Sequence, residues 1–314
     1  MRTPLGQRVS GLCALLLALP ARAGLYWLTI AGLGGEPDYE QRFSTEAAEI
    51  DKLLKAGGAD VHVSTLTGAE ATRARLTQLL AEVARAAKPE DEFVLLLIGH
   101  GSFDGVTYKF NLPGPDISAP ELAALCNAVP AGGQLIINTT SASGGSIAAL
   151  QRRGRGVIAA TKSGTEKNAT VFARYWVEAL QDPAADVDKS DSISALEAFE
   201  YAARKTAAFY TSEKRLATEH AVFEDTGKGA AVRAPAPDGA EGRLLASLTL
   251  RRFGDAQNPV PDPVERDLLA RKEKLQQQID GLKYQKAAIP EEQYATQLKS
   301  LLLQLARTQA ALEK

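Results

Sequence analysis

At 314 residues, 45% of them hydrophobic and 24% charged, the chain is long enough for one sizeable α/β core plus an appendage. Its formal net charge of −2 gives no electrostatic footprint for nucleic acid or an anionic membrane surface, so neither is expected as a partner.

Residues 1–23 read as an export signal rather than structure. Arg2 and Arg8 supply the basic start, Gly11 to Leu19 a short apolar run, and Ala21-Arg22-Ala23 a small-residue cleavage site. The expectation is a mature chain that begins at Gly24 and is periplasmic or secreted. The apolar run is too short to span a bilayer, so no integral membrane segment is expected after cleavage. Cys13 would leave with the signal, making Cys126 a lone thiol with no disulfide partner.

Leu25 to Ile30 reads as a first strand ending in Gly32-Leu33-Gly34-Gly35, which lacks both the Lys-Ser/Thr of a P-loop and the spacing of a dinucleotide site. An amphipathic helix follows over Tyr39 to Ala56 and a strand over Asp60 to Leu66, in which His62 is an ordinary strand residue. Another helix covers Thr72 to Ala87 and a strand Glu92 to Ile98. This alternation predicts a mainly parallel sheet with right-handed crossovers. Thr107 to Leu112 is a short extended piece. Ser118 is placed to cap a helix from Glu121 to Ala128 that carries Cys126 on an apolar face. Gln134 to Ile137 and Gly156 to Ala160 complete the core strands, each an apolar run suited to a sheet covered on both faces.

The chemistry-bearing residues follow two of these strands. Phe93 to Ile98 runs into Gly99-His100-Gly101-Ser102, and Gln134 to Ile137 into Asn138-Thr139-Thr140-Ser141-Ala142-Ser143-Gly144-Gly145. In a parallel sheet both runs reach the carboxyl edge, where ligands bind. The His100-Gly101 step and the Thr139 to Gly144 run resemble the legumain-like, caspase-like (clan CD) cysteine peptidases. Those enzymes place a catalytic His before Gly after one core strand, and the nucleophilic Cys in an acidic-Ala-Cys-x-Ser-Gly run after the next. The resemblance implies a three-layer caspase-like α/β fold over roughly residues 25–230. It makes His100 the base, Ser141 the nucleophile position, the Gly101 and Ser141 backbone N–H groups an oxyanion hole, and Thr161, Lys162 and Ser163 part of the substrate pocket. Arg155, Lys162 and Lys167 could favour an acidic ligand group there. Ser141 stands where the family has Cys, and Thr139 where it has an acid.

An alcohol lacks the readily ionised thiol of a Cys–His dyad and needs a well-oriented base to act. The sequence offers no third member at a recognisable place; His220, in the polar Thr218–Asp225 stretch, is undecided. The leading expectation is therefore a catalytically silent peptidase homologue that binds a peptide or protein. The alternatives are an active hydrolase using a His100–Ser141 dyad, and a carrier domain for the C-terminal segment.

Asn168 to Leu180 is a helix whose Phe172, Tyr175 and Trp176 read as core. Asp186, Asp188, Ser190, Ser194 and Glu197 have the alternating spacing of a calcium loop, although Asp191 stands where such loops turn on Gly. The competing reading is a solvated loop leading into a helix from Ala195 to about Tyr210, with Ser194 and Glu197 as a capping box. No cofactor other than this calcium is expected. A last strand is expected over Leu245 to Leu250.

The segments divide as 24–255, the α/β domain; 256–263, a Pro-rich linker; and 264–314, a helical hairpin with heptad spacing. Val264, Leu268, Leu275 and Leu282 mark the seam of one arm, and Tyr294, Leu298, Leu301, Leu305, Thr308 and Leu312 that of the other. Each arm alone is too thin to bury its stripe, so the hairpin is expected to pack on the body, on a partner, or on a second copy.

Overall fold

The computed structural model describes residues 23–56, 60–236, 239–253, 262–283, 285–286 and 289–313. The expected leader, except Ala23, and most of the expected linker lie outside these residues. Strands β1 (Leu25–Ala31), β2 (Val61–Leu66) and β3 (Glu92–Ile98) alternate with helices α1 (Pro37–Lys55) and α2 (Arg73–Ala86). A small antiparallel sheet of β4 (Gly101–Phe103), β5 (Tyr108–Phe110) and β6 (Ile117–Ser118) then precedes α3 (Ala119–Asn127). Next come β7 (Gly133–Asn138), the short α4 (Ile147–Leu150), β8 (Arg155–Ala159), α5 (Phe172–Gln181), β9 (Ser192–Ser194) and α6 (Ala195–Ser212). The chain continues through β10 (Val222–Glu224), α7 (Arg243–Ser247), β11 (Thr249–Arg252), α8 (Pro263–Lys283) and α9 (Glu291–Leu312).

The main sheet runs β10-β8-β7-β3-β1-β2, parallel throughout except for β10. Alternation along its strands sends side chains into two separate cores. Trp27, Val94, Leu96, Ile98, Leu135, Ile137 and Ile158 pack with α1, α5 and α6 on one face. Leu28, Ile30, Phe93, Leu95, Leu97, Ile136 and Val157 pack with α2 and α3 on the other. The architecture is the expected three-layer α/β one, with a C-terminal helix pair. Phe172 and Trp176 are fully buried and Tyr175 nearly so, as core residues. His62 lies in β2, stacked on Tyr26 at 4.6 Å.

Two elements differ from expectation for identifiable reasons. The helix expected from Asn168 begins at Phe172, because the carboxylate of Glu219 accepts from the N–H groups of Val171 and Phe172 and closes the helix start there. Leu245 to Leu250 is not one strand. Asp225 accepts from the N–H groups of Gly242, Leu244 and Leu245, so the chain makes the turn of α7 before β11. Leu275 and Leu282 of α8 are buried with Ile279, whereas Val264 is 67% exposed. In α9 Thr308 is buried and the remaining expected seam positions are half-buried.

Candidate functional site

The carboxyl edge of the sheet gathers the tail of β3, carrying His100, the tail of β7, carrying Ser141, and the tail of β8, carrying Thr161 to Ser163. Ser141 is buried, and its Oγ lies between two backbone groups of one residue. It accepts from the Gly101 N–H at 3.1 Å and donates to the Gly101 carbonyl at 3.0 Å. The N–H that the resemblance assigns to an oxyanion hole is therefore occupied by the hydroxyl, and stabilising an oxyanion would require displacing it.

Below Ser141 lies a closed polar knot. Tyr108 Oη is 2.6 Å from Thr140 Oγ1 and donates to Asn138 Oδ1 at 3.2 Å, while Asn138 Nδ2 donates to Ser146 Oγ at 3.0 Å. Burial pushes the Tyr108 phenol far up, so it stays a neutral donor. Ala142 holds a left-handed φ of 57°. For a residue with a Cβ that conformation is strained and persists only where its surroundings enforce it. Here the Ala142 N–H donates to the Glu166 carbonyl at 2.7 Å, and the Ala142 carbonyl accepts from the Gly145 N–H at 2.9 Å. A Cβ on Gly144 would meet the Ser163 nitrogen at 2.3 Å, which is how closely the β8 tail lies against the Ser141 loop.

His100 reaches the same edge but faces another way. Its ring stands edge-on to Tyr39 at 4.8 Å and Phe43 at 5.2 Å, both on α1. It makes no hydrogen bond to Ser141. Burial, and secondarily the Arg42 guanidinium, hold its pKa below the usual imidazole value, against an opposing pull from the Gly34 backbone and Glu36. The imidazole is thus neutral at pH 7, the form a general base needs.

Arg42 was not signalled by any motif. It lies 5.1 Å over the rings of both Tyr39 and Phe43 and donates to the Thr170 carbonyl at 3.2 Å, while its Nε lies 4.0 Å from a Glu46 carboxylate oxygen, an ion pair without a hydrogen bond. Glu166 was also not anticipated. Its carboxylate accepts from the Lys162 N–H at 2.9 Å and lies 2.5 Å from His220 Nδ1, so His220 belongs to the wall of this edge. Only the i, i+3, i+4 grouping of Tyr39, Arg42 and Phe43 could have hinted at Arg42.

The substrate-pocket expectations divide. Thr161 is fully buried and spends its hydroxyl on Ser143 and on the Gly144 N–H, so it builds the wall. Lys162 is exposed and its Nζ lies 3.5 Å from Glu166, while Ser163 Oγ bonds to Thr165. Arg155 is not near the site. It sits at the start of β8, 1% exposed, and its guanidinium donates to Gln134 Oε1, Asn127 Oδ1 and the Leu150 carbonyl. Cys126 is buried on α3, where desolvation pushes its thiol up to about 12, an inert state.

Asp186, Asp188 and Glu197 bring carboxylate oxygens within 4.8 Å of one another. The loop's own N–H groups already meet them: Ser190 and Asp191 donate to Asp186, and Val187 and Ser194 to Glu197. Ser194 and Glu197 form the capping box of α6, and Ser190 Oγ pairs with Ser192 instead of joining the cluster.

No family model and no curated protein matches the chain. Solved structures similar to it include the Drosophila initiator caspase Dronc, with a TM-score of 0.44 and 11% identity, covering 73% of this chain and 96% of that one. A Geobacter sulfurreducens protein is similar at a TM-score of 0.44 and 13% identity, covering 67% and 97% respectively. At this level of similarity the reading of the fold stands on strand order and on the placement of His100 and Ser141.

Proposed function

We propose that the chain is a caspase-like, legumain-related peptidase homologue, exported to the periplasm or beyond, that binds a peptide or protein at the carboxyl edge of its sheet without cleaving it. The observation that carries this reading is the Ser141 hydroxyl, closed between the N–H and C=O of Gly101 with no bond to His100. A serine nucleophile needs a base in hydrogen-bond reach to take its proton. A neutral His100 on the same edge favours the alternative of a serine hydrolase in which the ring swings towards Ser141.

The test is peptidase activity of the protein on a broad peptide library, beside Ser141→Cys, Ser141→Ala and His100→Ala. The proposal expects no cleavage by the native chain. Cleavage by Ser141→Cys alone would mean that the missing thiol is what silenced a retained site. Cleavage by the native chain, lost in both Ala variants, would overturn silence and make Ser141 the nucleophile.

A further inference from the structure

Helix α9 packs on α8, and on one face Thr308 is buried while Leu298, Leu301, Leu305 and Leu312 are half-buried. A second row on the same helix stays open. Ala295, Lys299, Leu302, Ala306, Gln309 and Glu313 step by four and three alternately, and all but the half-buried Gln309 are exposed. Leu302 is 48% exposed, and Leu303 beside it 50%. At about 3.6 residues per turn this row lies roughly a quarter-turn round the helix from the first. Two seams so placed suit a helix with two neighbours, as in a bundle, and α8 supplies one of them.

The charges on the open row decide what the second neighbour can be. Its middle is apolar, and its ends carry opposite signs at Lys299 and Glu313. Lys299 forms no ion pair among the described residues, and the Glu313 carboxylate accepts from Gln309 of its own helix at 3.1 Å. A second copy laid parallel and in register would set Lys299 on Lys299 and Glu313 on Glu313, like charge on like. Laid antiparallel about the midpoint of Leu302 and Ala306, it sets each Leu302 against the Ala306 of the other copy, large against small. The same register brings each Lys299 within one turn of the other copy's Glu313, the spacing at which opposite charges attract along helices.

We propose that this face of α9 docks on the same face of a second copy of the chain, as an antiparallel helix pair related by a two-fold axis. One helix per copy is a small contact beside the about 1,200–2,000 Å² of a standard specific interface, so the dimer is reversible and depends on concentration. The measurement is sedimentation velocity of the full chain at low salt, from micromolar to several hundred micromolar, where surface charge pairs are least screened. The mass should rise from that of one chain towards that of two. Leu302→Glu puts a charge against each facing Ala306 and should weaken association about tenfold or more. Lys299→Glu, which sets like charges together, should weaken it several-fold, and adding Glu313→Lys should restore it, as a parallel pair would not allow. Leu216→Glu, at a leucine 91% exposed outside the helix pair, should change nothing. A native chain that stays monomeric throughout overturns the proposal. So does a dimer that survives Leu302→Glu, one that Leu216→Glu weakens equally, or one that the double charge reversal fails to restore.

Discussion

The two ends of the central sheet each bury a polar knot, and the two are built on opposite principles. At the carboxyl edge the groups are neutral: Tyr108, Asn138, Thr140 and Ser146 exchange hydrogen bonds beneath Ser141. At the amino edge a charged Arg155 is sealed in with only amide and carbonyl oxygens as acceptors. A neutral network can be remodelled one bond at a time. A buried cation cannot, because removing any acceptor strands charge in a low-dielectric interior. The rigid end carries the scaffold, and the adjustable end carries the loops where a ligand would bind.

The sharpest way to break this contrast is at the charged end. Arg155→Ala removes the guanidinium that donates to Gln134 Oε1 and the Leu150 carbonyl, leaves Asn127 Oδ1 with Arg152 as donor, and opens a cavity. A loss of about 3–5 kcal/mol is expected in chemical denaturation. Arg155→Met, which fills the space without the charge, should recover part of it. A loss below about 1 kcal/mol for Arg155→Ala would mean that the buried charge organises nothing.

At the other end the largest effect should come from shape. In Gly144→Ala the new methyl group meets backbone atoms of Lys162 and Ser163 at 2.5 Å or less, and backbone cannot swing aside as a flexible side chain can. About 1–3 kcal/mol of destabilisation is expected, together with loss of whatever peptide binding the edge supports. Retained stability and binding would show that the β8 tail moves freely over the Ser141 loop.

Next to His220 at the carboxyl edge lies Glu219, whose carboxyl burial pushes up to about 7 while the N–H groups of Val171 and Phe172 and the Tyr210 hydroxyl pull it down. The folded state therefore holds a proton that the unfolded chain releases at lower pH. Stability should fall as pH rises from about 4.5 towards 7, by about 1–2 kcal/mol from this group. Thermal unfolding from pH 5 to 7.5 measures the slope, and Glu219→Gln should reduce it.

The strands, the His-Gly step and the Thr139 to Gly144 run were legible because apolar runs and glycine turns are local signals. His100 and Ser141 accordingly arrive at one edge as expected. Their relative orientation was not legible: the His100 ring is drawn to Tyr39 and Phe43 on α1, far away in sequence. Arg155 was misplaced for a related reason. Its nearness in sequence to Lys162 suggested a shared pocket, yet the length of β8 puts the two at opposite ends of the sheet. The α5 start and the α7 turn depend on Glu219 and Asp225, carboxylates contributed from distant segments. A local reading has no access to caps of that kind.

The smallest expected effect tests whether the neutral knot is as adjustable as the contrast requires. Tyr108→Phe removes one hydroxyl and leaves the ring in its core position. Thr140 Oγ1 keeps Asn138 Oδ1 and the Ser141 carbonyl as acceptors, at 2.8 and 3.1 Å. Because both surviving partners can re-pair, the loss should be only about 1 kcal/mol, less than for a stranded buried group. A loss near that of Arg155→Ala would make the knot a single unit, and the carboxyl edge would then be as rigid as the other. In that case His100, held by ring contacts with Tyr39 and Phe43 and by the Gly34 backbone, would be the remaining adjustable part of the site.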